Sequence, residues 1–263
     1  VSAFRSDWDS QEVSFDFKSN SLVACKQASL RESYETLLIS REENEIKVNN
    51  FQIKVNQLVG NSLNLDLKIY DLALSNNLIY NKDYSSDFID LLSYSVGCMM
   101  GRYSLDREGL VFAKSGNEGF KELEVDGAYK SFPADDDGII PLASDDWLFE
   151  DDATARFREF IKTVWGLEHL QENLEFVAES LCLNAIKPKK GESAMETIRR
   201  YFSTKFFEEH CKMYKKRPIY WLFSSGKQTA FECLVYLHRY NEGTLARMRT
   251  EYVIPLTAKM AAY

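Results

Sequence analysis

The spacing of apolar residues divides this chain into long helical stripes and a few short strand-like runs. Val13, Phe15 and Phe17 alternate with Ser14 and Asp16 behind Trp8, which predicts a short edge strand or an extended entry segment with docked aromatics. Over residues 21–56, Leu22, Cys25, Leu30, Tyr34, Leu37 and Leu38 fall near helical spacing. Ile46, Val48, Phe51, Ile53, Val55 and Leu58 continue it less regularly, so one or two long helices are expected. Arg41-Glu42-Glu43-Asn44-Glu45 reads as a solvated face or a joint between them. Residues 60–83 are rich in Asn and Leu, with a brief alternation at Leu63, Leu65 and Leu67 and a possible helical turn from Ile69.

Ser85-Ser86-Asp87 is an N-cap signal for a helix over residues 88–100. Ser93, Gly97 and Gly101 give it small residues at i, i+4 and i+8, which predicts close packing against another backbone. Leu110-Val111-Phe112-Ala113 reads as a short strand and residues 114–145 as loop. The next helix is expected from Ser144 or Asp145, with Phe149, Ala153, Phe157, Phe160, Ile161 and Val164 inward and Gly166 ending it. A second follows over residues 167–183, with Leu170, Leu174, Val177, Ala178 and Leu181 inward. Lys187-Pro188-Lys189-Lys190-Gly191 is an exposed basic linker, and one helix is expected over residues 195–214. Ile219–Phe223 and Phe231–Leu237, joined by Ser224-Ser225-Gly226-Lys227-Gln228, predict a β-hairpin with positive φ at Gly226. Thr244 should cap a last helix that carries Leu245, Met248 and Tyr252 and is interrupted by Pro255. The expected fold is mainly α with a small β component (α+β), a helical bundle plus a C-terminal hairpin and short strands. Three regions are expected: residues 1–84 as entry segment and helical spacer, 85–186 as a helical region with a long acidic loop, and 187–263 as a basic helix–hairpin–helix module.

Composition changes this picture in three places. The five cysteines, Cys25, Cys98, Cys182, Cys211 and Cys233, form no CxxC pair, which fits free thiols in a reducing cytoplasm. No run of 18 apolar residues exists, so no membrane partner is expected. The net charge of −8 is unevenly spread: from Lys187 onward 15 Lys/Arg face 7 Asp/Glu, a balance of +8 that leaves −16 for the first 186 residues. A basic end on an acidic protein suits a polyanion there, and the acidic remainder suits solubility or a protein-docking face. The chain has no initiator Met and stops in a helical pattern, which reads as a piece of a longer protein.

The candidate phosphate-backbone contacts are Lys187, Lys189, Lys190, Arg217, Lys227, Arg239 and Arg247, chosen by charge and turn position. Arg102, leaving its helix, is either a phosphate or base contact or a helix C-terminal cap. Trp221, Phe223 and Phe231 are expected in the core, with the hairpin charges as solvated ends. Asp135-Asp136-Asp137-Gly138 is read as a turn in preference to a metal site, because consecutive carboxylates do not converge on one point. No catalytic or metal-ligating set is identified, and no hydrolase nucleophile with base and orienter.

Ile219-Tyr220-Trp221-Leu222-Phe223-Ser224-Ser225-Gly226-Lys227, followed by Leu234 to Tyr240, resembles the C-terminal part of PglX-like adenine-specific DNA methyltransferases. These are enzymes of BREX phage-defence systems, related to type IIG restriction–modification enzymes. Ser95-Val96-Gly97-Cys98-Met99-Met100-Gly101-Arg102-Tyr103-Ser104-Leu105-Asp106 resembles that family's SVGCMFGRYSLD. Asp137-Gly138-Ile139-Ile140-Pro141 and Ala155–Phe160 extend the likeness over about residues 90–255, with a looser match before residue 80. The resemblance implies a helical spacer near the N-terminus and a target-recognition role. It also implies S-adenosylmethionine in a catalytic domain elsewhere, since this chain has no glycine-rich cofactor turn, no Pro-Pro-Tyr loop and no adjacent prolines. Two functions follow as expectations: a non-catalytic region that positions duplex DNA, or a protein–protein module that docks other defence-system subunits; the rest of the parent methyltransferase is an expected partner.

Overall fold

The computed structural model describes residues 9–63, 86–145 and 148–262. The readings at Trp8, residues 64–83 and Ser85 lie outside them. Helix α1 (Ser21–Ala24) and the 34-residue α2 (Leu30–Leu63) come first, followed by α3 (Asp87–Met99) and the short α4 (Phe120–Val125). Strand β1 (Ile139–Pro141) precedes α5 (Ala153–Trp165), α6 (Leu170–Asn184), α7 (Ala194–Thr204) and α8 (Phe206–Met213). The hairpin β2 (Tyr220–Ser224) and β3 (Glu232–Tyr236) leads to α9 (Thr244–Arg247), a π-helical turn (Met248–Val253) and α10 (Ile254–Ala262). The fold is mainly helical with one small antiparallel sheet, as the pattern predicted.

Helix α3 is the centre. Its sequence is apolar or small on every side, and each residue from Leu91 to Met99 is buried, as expected of a helix surrounded by other elements. The two glycines make room for aromatic rings, where a neighbouring backbone was expected. A Cβ on Gly97 would lie 2.3 Å from the Tyr103 ring, and Gly101, at φ +75°, lies against Phe120. Phe17, Leu22 and Leu30, then Phe157 and Phe160 of α5, Leu174 and Val177 of α6, Ile198 and Phe202 of α7, and Tyr220 and Leu234 of the sheet complete one core. That core draws on all three expected regions.

The sheet separates this core from a second, smaller one. Strand order is β1-β3-β2, with Ile139 opposite Val235 and Trp221 opposite Val235 on the other side. Tyr220, Leu222, Leu234 and Tyr236 face the large core. Cys233 and Val235 face Phe231, Met248, Tyr252 and Leu256 on the other, with Phe223 packed beside them. Strand alternation produces this division, since successive side chains point to opposite faces.

Several boundaries differ from expectation for identifiable reasons. Val13 to Phe17 forms turns in place of a strand, with Phe17 buried and Phe15 exposed. Residues 110–113 make no ladder; the Val111 N–H donates to the Arg102 carbonyl at 2.9 Å, and the third strand is β1, inside the expected loop. Helix α5 starts later, at Ala153, capped by Asp152, whose side chain accepts from the Ala155 N–H at 2.8 Å and pairs with the buried Arg199. The helix expected over residues 195–214 is two helices broken at Lys205, begun by a Ser193/Glu196 capping box. Arg41 is not a solvated residue: it forks onto Asp87 at 2.5 and 2.9 Å, both buried, and ties α2 to the start of α3. Pro255 has no N–H to donate and its ring crowds the preceding turn, and the helix widens there into the π-helical turn before resuming as α10.

Candidate nucleic-acid interface

Two tight turns present the basic residues. After α8, the N–H groups of Lys215, Lys216 and Arg217 donate to the carbonyls of Lys212, Cys211 and Tyr214 at 3.1, 2.7 and 2.9 Å. This closure holds Lys215 and Lys216 in the left-handed region, at φ 52° and 64°, and leaves all three cations exposed. His210 then fixes the entry to β2: its buried Nε2 accepts from the Ile219 and Tyr220 N–H groups at 3.0 and 3.2 Å. Burial, with Arg102 nearby, pushes this imidazole down to about 3, so it stays neutral and available as an acceptor. At the hairpin tip, Ser225 Oγ accepts from Phe231 N at 3.1 Å and Gly226 takes φ 95°, which projects the exposed Lys227.

The structure sorts the candidate cations into three groups. Arg217 and Lys227 bracket β2, both exposed and without an ion pair among the described residues. Lys187, Lys189 and Lys190 are exposed on the linker before α7, with α7 and α8 intervening before the hairpin. Arg247 is exposed but pairs with Glu251 at 3.3 Å and lines a cleft shared with Glu124, Asp136 and Asp137, an acidic setting for a phosphate.

Arg239 and Arg102 point inward. Arg239 is 1% exposed, and its guanidinium donates to the carbonyls of Asp135 and Asp136 at 2.5 and 2.7 Å and to Asn117 Oδ1 at 2.7 Å. It also lies 3.7 Å above the Phe120 ring, so it holds the acidic turn and α4 against the sheet and presents nothing to DNA. The turn it holds is built as its Asp-Gly composition predicted: Asp135 Oδ1 accepts from the N–H groups of Asp137, Gly138 and Ile139. Among the described residues Arg102 caps no helix. It donates to the hydroxyls of Tyr103 and Tyr236 at 3.1 and 3.4 Å, within a tyrosine cluster under the hairpin. Glu12 enters the same cluster and accepts from Tyr214 at 3.1 Å; burial raises its carboxyl to about 7.

Two features of this surface lay outside the candidate residues. Lys215 and Lys216 extend the cationic turn before Arg217, a continuity visible in the run itself. Trp221, expected in the core, is 49% exposed on the edge strand. The alternation of β2 carried that signal: Tyr220 and Leu222 take the large core, which turns Trp221 the other way.

No described helix is long and apolar enough to cross a membrane. No family model matches the chain. Two curated proteins are similar to it almost end to end. The adenine-specific methyltransferase BrxX of Escherichia coli O9:H4 (strain HS) is 54% identical over 274 residues, covering 98% of this chain and 23% of that protein. The adenine-specific methyltransferase PglX of Lacticaseibacillus casei (strain Zhang) is 36% identical over 265 residues, covering 97% of this chain and 21% of that protein. The chain thus spans less than a quarter of the length of either relative.

Proposed function

We propose that this chain is the non-catalytic, target-recognition and helical region of an N6-adenine-specific DNA methyltransferase of a bacterial phage-defence system, and that it positions duplex DNA for a catalytic domain outside it. The observation that carries this reading is the hairpin surface. Between Glu209 and Glu232 the chain contains no carboxylate, while Lys215, Lys216, Arg217 and Lys227 stand exposed on turns closed by backbone hydrogen bonds. Cations held on short, rigid turns meet a phosphate backbone with little loss of conformational freedom, and displaced counterions supply the driving force. Lys187, Lys189 and Lys190 form a second, separate contact on their linker.

In this reading S-adenosylmethionine belongs to the catalytic domain. The strands described here form one antiparallel sheet, and none runs through a glycine-rich turn into a helix N-terminus, the arrangement that cradles such a cofactor. No chemical step is assigned to this chain. A second reading, docking of other defence-system subunits, draws support from α2, where Ile39, Ile46 and Ile53 are exposed at seven-residue intervals.

Fluorescence anisotropy on a labelled duplex separates the two. Arg217→Ala/Lys227→Ala should weaken binding about 5- to 30-fold and Lys187→Ala/Lys189→Ala/Lys190→Ala about 10- to 150-fold, at about 0.5–1 kcal/mol per lost contact. An Ile39→Ser/Ile46→Ser/Ile53→Ser variant should bind as the parent does. Absence of duplex binding at low salt would end the DNA reading and leave the docking one.

A further inference from the structure

We propose that the uncovered part of β2 on the side of the smaller core, with Trp221 at its centre, is a stacking platform for an unpaired DNA base. The inference deepens the DNA-holding reading and rests on it. Trp221 sits on an edge strand and is 49% exposed, and by alternation it shares a face with Phe223. The Phe223 ring stacks on Tyr240 at 6.4 Å and 9° between planes, and Tyr240 is itself 38% exposed. An apolar strip of this kind on a soluble fold marks a contact surface. Its surroundings select the occupant: Lys215, Lys216 and Arg217 precede the strand, Lys227 follows it, and Glu232 is the first carboxylate after them. Flat aromatic rings between cations match a nucleotide strand, with bases on the rings and phosphates on the ammonium and guanidinium groups.

The chemistry also selects the state of that strand. An indole face offers no paired donor and acceptor to read a base edge in a groove. What it offers is a π surface, which a base can meet only after leaving its own stack. An enzyme that acts on one adenine must open the duplex at that point, and a displaced or orphaned base then needs a place to lie. The ligand class is therefore single-stranded or locally opened DNA, without sequence preference at this position.

The test compares a fully paired duplex with the same duplex carrying one unpaired 2-aminopurine, bound to the parent chain and to Trp221→Ala and Trp221→Phe variants. Because Trp221 is a half-exposed edge residue, each variant's urea midpoint is measured alongside to show an intact fold. The parent should favour the unpaired site and alter 2-aminopurine fluorescence on binding. Trp221→Ala should lose that preference by roughly 5- to 100-fold, and Trp221→Phe should keep most of it. Equal affinity of the parent for both DNAs, or an unchanged preference in Trp221→Ala, would overturn the platform and leave duplex holding intact. Failure of the parent to bind any DNA would overturn both. A Trp221→Ala chain with unaltered DNA binding but altered self-association in sedimentation would assign the strip to a protein contact, and also overturn the platform.

Discussion

Arg239 and Arg217 belong to the same basic segment, yet their surroundings predict opposite consequences of removal. Replacing Arg239 with Met keeps much of the side-chain volume above Phe120 and deletes the guanidinium. The carbonyls of Asp135 and Asp136 and the side chain of Asn117 then lose their donor in a buried setting. A hydrogen bond to a charged group contributes about 1.5–3 kcal/mol, and the stacking on Phe120 about 1–2 kcal/mol more. These terms are not additive, because the turn relaxes and water reaches some of the carbonyls. The expected net loss is about 3–5 kcal/mol, below the sum of these contributions. Arg217→Met, at an exposed turn, should change stability by less than about 0.5 kcal/mol. Urea denaturation followed by circular dichroism and by tryptophan fluorescence reads both variants. An Arg239→Met chain with the parent's midpoint and slope would refute the structural role assigned to this arginine, whatever its effect on DNA.

Three further outcomes follow from the core and its buried charges. Gly97→Ala should destabilise by about 2 kcal/mol or more, since its Cβ would meet the Tyr103 ring at 2.3 Å inside the central helix; thermal melting measures this. Glu12, raised from 4.5 to about 7, favours the folded state when protonated, so its contribution is complete below pH 4.5 and is lost as pH rises through 7, by about 3 kcal/mol. His210, lowered to about 3, acts in the opposite sense and costs stability as pH falls below 6.5, so the difference between Glu12→Gln and the parent isolates the carboxyl. That difference should shift in favour of the variant between pH 5 and pH 8, and a pH-independent difference would contradict the burial of Glu12. Asp87→Asn should destabilise by about 1.5–3 kcal/mol, because it replaces the carboxylate onto which the buried Arg41 forks with a neutral amide, again read by urea denaturation.

Elements with local signals were legible in the sequence. The hairpin, α3, α6 and the stop at Gly166 each follow from periodicity or turn chemistry over a few adjacent residues. Elements defined by distant partners were not. Strand β1 is three residues long, too short to show alternation, and exists because β3 pairs with it from nearly a hundred residues away. Arg41 and Asp87 lie 46 positions apart, and nothing near either one announces the pair. Arg239 was expected outside because arginine usually is; its acceptors are backbone carbonyls of a remote turn, which no side-chain pattern encodes. The candidate surface was therefore partly readable. Arg217 and Lys227 could be placed from turn chemistry, whereas the exposure of Trp221 required knowing which face of β2 the larger core takes.

The most direct test of the DNA-holding account is the salt dependence of duplex binding by this chain. Contact through Lys187, Lys189, Lys190, Arg217 and Lys227 predicts that log K falls linearly with log salt, with a slope of about −4 to −5. Arg217→Ala/Lys227→Ala should reduce that slope by about 2. A slope near zero, or one unchanged in the double variant, would contradict the account.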